Sequence, residues 1–238
     1  MKLDILAIAA HPDDIELACS GTLASHRDKG YSVGILDLTQ GEMGTRGTPE
    51  LRMQESEASA KILRLNAREN LGFKDIYFKD DLDHQVAIAR LIRKYQPEIV
   101  LANAVEDRHP DHGKGGSLAS HACFISGLRK LETEFDGVAQ DPWRPKFIYH
   151  YIQNQYLEPD LVVDVSDYWE VKKESILAFK SQFHDPNSNE PESFISSPEF
   201  LDFIEARSRE LGHKINVKFG EGFTVERVAG VKDLFDLI

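Results

Sequence analysis

Six residues of metal-ligand and acid–base type stand in two short segments, His11-Pro12-Asp13-Asp14 and His109-Pro110-Asp111-His112. Their three histidines and three aspartates are donors suited to zinc and related divalent ions. A catalytic zinc takes about three protein ligands and keeps one position open for water, so all of these groups cannot bind directly. In the first segment, side chains three positions apart can converge at a strand-to-helix turn, which makes His11 and Asp14 candidate ligands and leaves Asp13 pointing elsewhere. One histidine of the second segment could complete the site. The other, oriented by a carboxylate such as Asp111, would serve as an acid or an electrostatic stabiliser. Plainer roles exist for each: either aspartate could cap the following helix, and His109 and His112 could be solvated loop histidines. Two ligand-rich clusters at strand ends, each with a proline fixing its backbone, favour a shared metal site.

For the clusters to meet, strands must carry them to one edge. Leu3 to Ala10 is an apolar run of the kind buried on both faces of a parallel sheet. Ile15 to Lys29 has helical spacing and stops at Gly30, and Ser32 to Leu38 reads as a second strand, completing a βαβ unit. Thr39 to Thr48 reads as a loop. Pro49 opens a helix to about Leu65, with Ala58, Ile62 and Leu63 facing inward. A short strand at Glu69 to Leu71, a helix at Val86 to Tyr95 and a strand at Glu98 to Ala104 follow. The alternation predicts an α/β fold: a Rossmann-like open, mostly parallel sheet with helices on both faces. In such sheets ligands sit beyond the carboxyl ends of the strands, where both clusters fall. Past about Gln140 come shorter strands at Lys146 to Ile152 and Leu161 to Val165, then helices at Tyr168 to Lys180 and Ser197 to Leu211. Asp185 to Pro198 reads as a surface loop or lid within a C-terminal extension, so residues 1–238 form one domain.

Composition excludes several functions. The chain of 238 residues has 28 Lys+Arg against 40 Asp+Glu, a formal charge of −12, which argues against nucleic acid or an anionic membrane surface as partner. No apolar run approaches the ~18 residues needed to cross a bilayer. Cys19 and Cys123 form no CxxC pair, so a disulfide framework or thiolate zinc knuckle is not expected and a cytoplasmic location is. The glycines at 41, 44 and 47 do not match a dinucleotide fingerprint, and those at 113, 115 and 116 lack phosphate-loop spacing. No GxSxG elbow supports a serine nucleophile.

AHPDD at 10–14 and HPDH at 109–112 resemble the two signature motifs of the LmbE-like (PIG-L) zinc-dependent N-acetylglucosaminyl deacetylases. The loop DLTQGEMGTRGTPELR at 37–52, EDRHPDHG at 106–113 and SQFHDPNSNEPESFISSPEF at 181–200 are similar to the bacillithiol-biosynthesis branch of that family. The resemblance implies His11, Asp14 and His112 as metal ligands, Asp13 as general base, and His109 as the charge-stabilising acid with Asp111 as its partner. It implies Zn2+ as cofactor, with Fe2+ or another divalent ion acceptable to the same donors. The implied substrate is a small N-acetylglucosamine conjugate, foremost N-acetylglucosaminyl malate, and the implied assembly is a homo-oligomer, possibly a hexamer. Arg52 and Arg108, with Arg46 third, are candidates for binding the malyl carboxylates; the alternative for each is an ion pair within the protein. Deacetylation of another N-acetylated sugar such as a chitooligosaccharide, or a non-catalytic carbohydrate-binding role, are the competing functions.

Overall fold

Neighbouring residues of the first strand enter opposite cores. The computed structural model describes residues 1–237, and in β1 (Ile5–Ala9) Ile5, Ala7 and Ala9 pack on one side while Leu6 and Ile8 pack on the other. This two-sided burial is why the strand reads as a continuous apolar run. The chain then alternates through α1 (Asp14–Ala18), α2 (Ser20–Asp28), β2 (Val33–Thr39), α3 (Pro49–Ile62), β3 (Ala67–Phe73), α4 (Leu82–Tyr95), β4 (Ile99–Ala102) and α5 (Pro110–Ser126). A small hairpin of β5 (Glu134–Phe135) and β6 (Val138–Ala139) precedes β7 (Phe147–Tyr151) and β8 (Leu161–Asp164). The chain continues through α6 (Trp169–Leu177), α7 (Phe200–Lys214) and β9 (Gly220–Val225).

The main sheet has the order β3-β2-β1-β4-β7-β9-β8. Strands β3 to β7 in that order run parallel, and β9 lies antiparallel between β7 and β8. Helices α4 and α5 cover one face; α1, α2 and α6 cover the other. The chain moves outward from β1 to β2 and β3 on one side and to β4 and β7 on the other. The β1/β4 boundary is therefore the topological switch point, where the crevice beyond the strand ends receives a ligand.

The expected α/β architecture is present, with several corrections. The helix expected over Ile15 to Lys29 breaks at Cys19 (φ −141°) into α1 and α2. Helix α3 turns Arg52, Glu55, Ser56 and Ser59 inward, while Ala58 is exposed and Ile62 half-buried. Its inner face is polar because it covers a buried charge cluster. Arg68 donates to both oxygens of Asp37 at 2.8 and 3.1 Å and lies 2.6 Å from Glu16 Oε1. Ser59 donates to that same Glu16 oxygen at 2.5 Å. Helix α5 and strand β9 were not anticipated. The C-terminal extension is not a separate layer: β8 and β9 complete the main sheet.

Candidate functional site

Both motifs stand at the switch point. His11 to Asp14 connects β1 to α1, and His109 caps α5, its ring Nδ1 accepting from the Asp111 backbone N–H at 3.3 Å. Asp13 has φ 111°, a left-handed conformation that aspartate tolerates better than most residues. The turn brings Asp14 back towards His11, whose N–H donates to Asp14 Oδ2 at 3.0 Å.

Asp14 lies between two histidines. Its Oδ2 is 3.6 Å from His11 Nδ1, and its Oδ1 is 3.1 Å from His112 Nε2. The outer nitrogen of each ring is also engaged. His112 Nδ1 meets Asp107 Oδ2 at 2.6 Å; His11 Nε2 is 3.1 Å from Asp75 Oδ1 and 3.5 Å from Asp111 Oδ2. Carboxylates on the far side of imidazoles are the supports that orient metal-binding histidines and raise their basicity. Donor atoms of His11, His109 and His112 lie within 4.8 Å of one another, as do those of His11, Asp75 and Asp111. The donor set of imidazoles and carboxylates fits a divalent ion of the zinc class.

Charge in the cluster is arranged for a cation. Burial opposes protonation of His112, but Asp14 and Asp107 outweigh it and raise its pKa to about 9. His11 is likewise raised well above the usual histidine value, since Asp111, Asp14 and Asp75 overcome its burial. Burial acts against the charge of Asp14, yet the two histidines hold its pKa well below the carboxylate range. Asp13 is different: burial pushes it up to about 7, although Arg52 works in the opposite direction. His109 is held below its usual value by burial and by the nearby His11 and His112. Because His109 Nδ1 accepts a hydrogen bond, the neutral ring carries its proton on Nε2.

These groups line a cavity of about 310 Å³. The polar part of its lining, termed the inner wall, includes His11, Asp13, Asp14, His109 and His112; the apolar part, termed the outer wall, includes Leu17, Met43, Ile76, Phe194, Ile195, Phe200 and Ile204. The segment expected to be a lid therefore contributes Phe194 and Ile195 to the site.

The expected site residues are all brought to this region, with different partners for Asp111 and Arg46. Asp111 was expected to orient His109 through its carboxylate. That carboxylate instead faces His11, accepts from Ile76 N–H at 2.9 Å and pairs with Lys114 at 2.7 Å. Arg52, a candidate substrate contact, lines the cavity; it is buried, 3.3 Å from Asp13 Oδ2, and donates to the Pro12 carbonyl at 2.9 Å. Arg46 is buried as well, donating to the Ser181 carbonyl at 2.9 Å. Arg108 is exposed at the cavity mouth, its guanidinium 4.1 Å from the centre of the Phe194 ring. Four supporting residues were missed: Asp75, Asn103, Asp107 and Gln153. Three of these follow the carboxyl ends of β3, β4 and β7, so applying the strand-end rule to every parallel strand would have flagged them.

Residues 6–123 match the PIG-L family, described as GlcNAc-PI de-N-acetylase. A diacetylchitobiose deacetylase of Thermococcus kodakarensis is 32% identical over 189 residues, covering 75% of this chain and 70% of that protein. The chain belongs to the PIG-L family. The crystal structure of a conserved protein from Thermus thermophilus superposes with a TM-score of 0.86 at 34% identity, covering 98% of each chain. A 4-oxalmesaconate hydratase of Pseudomonas putida is 26% identical over 192 residues, 75% of this chain and 74% of that protein. Relatives of this PIG-L protein thus include one named for a different reaction. Among the described residues, no helix is long and apolar enough to cross a membrane.

Proposed function

We propose that the protein is a metal-dependent deacetylase of N-acetylglucosamine conjugates, with His11, Asp14 and His112 holding the ion. The observation that carries this reading is Asp13: a buried carboxylate lining the same cavity, outside the ligand set, in a left-handed backbone conformation at the turn between the two ligands of the first motif. A divalent ion bound there supplies Lewis acidity and lowers the pKa of water towards ~7. Asp13 accepts the proton of the water that attacks the acetamide carbonyl. His109 directs its Nε2 donor towards the oxygen that gains charge. The C–N bond then breaks, the proton taken by Asp13 becomes available to the departing amine, and acetate and a free amino sugar leave.

Zn2+ is the proposed ion, and Fe2+ or Co2+ suits the same donors. The sequence resemblance favours N-acetylglucosaminyl malate as substrate. The relative named diacetylchitobiose deacetylase supports a short chitooligosaccharide equally. Arg52 lines the cavity while paired with Asp13 and Arg108 stands exposed beside it, so malyl recognition in this reading rests on these two arginines. A cytoplasmic homo-oligomer, for which the hexamer is the proposed form, remains the expected setting.

A panel containing N-acetylglucosaminyl malate, diacetylchitobiose and N-acetylglucosamine, assayed for free amine with metal-quantified protein, tests this reading. Amine release from at least one of these by the loaded protein is expected. Absence of release from every N-acetylated sugar would overturn it.

A further inference from the structure

Asp14 is held by two neutral amides as well as by its histidine neighbours. Gln153 Nε2 donates to Asp14 Oδ1 at 2.7 Å, and Asn103 Nδ2 donates to Asp14 Oδ2 at 3.1 Å. Each oxygen of the carboxylate therefore has one amide donor, supplied from the ends of two different parallel strands.

The orientation of Asn103 is fixed by its other contacts. Its side-chain oxygen accepts from the Ala10 N–H at 2.8 Å, which leaves its NH2 group for Asp14. Its backbone carbonyl meets His150 Nδ1 at 2.7 Å, and the residue is fully buried. Glycines in α5 make this arrangement possible. A Cβ at Gly116 would lie 2.7 Å from the Asn103 carbonyl oxygen, and one at Gly115 would lie 3.1 Å from Asn103 Oδ1. The helix that carries His112 can thus close onto Asn103 only with glycine at 116, and a side chain at 115 would press on the Asn103 amide. Two glycines of the run that matched no phosphate-binding pattern have this steric purpose.

Gln153 is 6% exposed, and its Oε1 finds no hydrogen-bond partner among the described residues. An unpaired buried acceptor costs stability. Retaining it makes sense if the donor end of the same amide has a function.

Neutrality is the second point. A Lys or Arg at either position would grip Asp14 more strongly, but its positive charge would repel an incoming cation. Amides fix the carboxylate while leaving its negative charge for the ion. We infer that Asn103 and Gln153 are positioning residues that hold Asp14 in the orientation required of a metal ligand. The inference rests on the proposed metal site and extends it to the residues behind it.

The test measures Zn2+ affinity by competition with a chromophoric chelator, for the wild type and the Asn103→Ala, Gln153→Met and Asp14→Asn variants. Supporting residues behind metal ligands contribute ~10–100-fold to affinity. Gln153→Met and Asn103→Ala are each expected to weaken Zn2+ binding by that factor, and Asp14→Asn by more. Excess Zn2+ should restore much of the turnover of Gln153→Met, since its catalytic groups are intact. Asn103→Ala also strands the Ala10 N–H, so its fold is the more vulnerable. Gln153→Met leaves no backbone group unpaired, and its thermal midpoint should stay within about 4 °C of the wild type. Folded Gln153→Met with wild-type Zn2+ affinity would overturn the inference. Wild-type protein that fails to bind Zn2+ would instead overturn the metal site, which separates the two failures.

Discussion

The inner and outer walls of the cavity are built in different ways. On the inner wall, every proposed ligand has more than one defined partner: Asp14 contacts two histidines and two amides, His11 faces three carboxylates and His112 faces two. The outer wall has Phe194 half-exposed and Arg108 exposed, joined at the mouth by a stacking contact. Many mutually dependent hydrogen bonds leave the inner groups one arrangement, whereas an apolar and partly solvated rim can change residue by residue. In the proposed reading, reaction chemistry belongs to the first wall and substrate range to the second.

The largest effect should come from the inner wall. Asp13→Asn keeps the shape of the side chain and, because asparagine also tolerates left-handed backbone, keeps the turn. Turnover should fall by ~10²–10⁴-fold with metal content unchanged, as checked by steady-state kinetics beside elemental analysis. Near wild-type turnover would remove Asp13 as the base. One layer further out, Asp107→Asn should weaken Zn2+ binding by ~10–100-fold, measured by chelator competition. Equal affinity would show that the Asp107 contact to His112 is passive.

The outer wall should respond more mildly. Arg108→Ala removes an exposed cation, and exposed ion pairs contribute up to about 1 kcal/mol, or roughly five-fold. KM for N-acetylglucosaminyl malate should rise by about that factor while kcat holds, and KM for diacetylchitobiose should not change. Equal increases on both substrates would assign Arg108 to the sugar and not to the malyl group.

Outside both walls, His26 sets a baseline. Burial lowers its pKa from the reference value of 6.5, against the pull of its bond to the Thr22 carbonyl. A histidine whose folded value is depressed contributes stability above the unfolded value, and this is lost as pH falls through the folded one. Acidification from about pH 7.5 to about pH 5.5 should therefore lower the thermal midpoint less in His26→Gln than in the wild type. An identical pH dependence would show that His26 is not strained by burial.

The same contrast explains what was legible in the sequence. The apolar runs of β1, β2 and β4 predict a parallel sheet because both faces are covered, and the motifs at 10–14 and 109–112 predict the inner wall because ligand-type residues cluster beside prolines. Helix α5 was obscured by Gly113, Gly115 and Gly116; the last two answer a demand for close packing against Asn103 and the first lies against the Val105 carbonyl, so none of them marks a loop. The polar inner face of α3 reflects tertiary contacts to the Glu16–Arg68–Asp37 cluster, and at the break after Cys19 the Gly21 and Thr22 N–H groups donate to the Glu221 carboxylate. Asp75 and Gln153 lie far in sequence from either motif, and only the sheet order brings them to His11 and Asp14. Arg52 lines the cavity, but its pairing with Asp13 depends on the fold and was not legible in the sequence.

Metal-dependent amide hydrolysis at the inner wall would yield two products and require the ion. Acetate and free amine should be quantified together from one N-acetylated sugar substrate, with protein loaded with Zn2+ and with the same protein stripped by a chelator. Stoichiometric acetate and amine from the loaded protein, loss on stripping and recovery on reloading is the predicted result. Equal release by the stripped protein, or a water-addition activity with no acetate formed from any N-acetylated sugar, would contradict it.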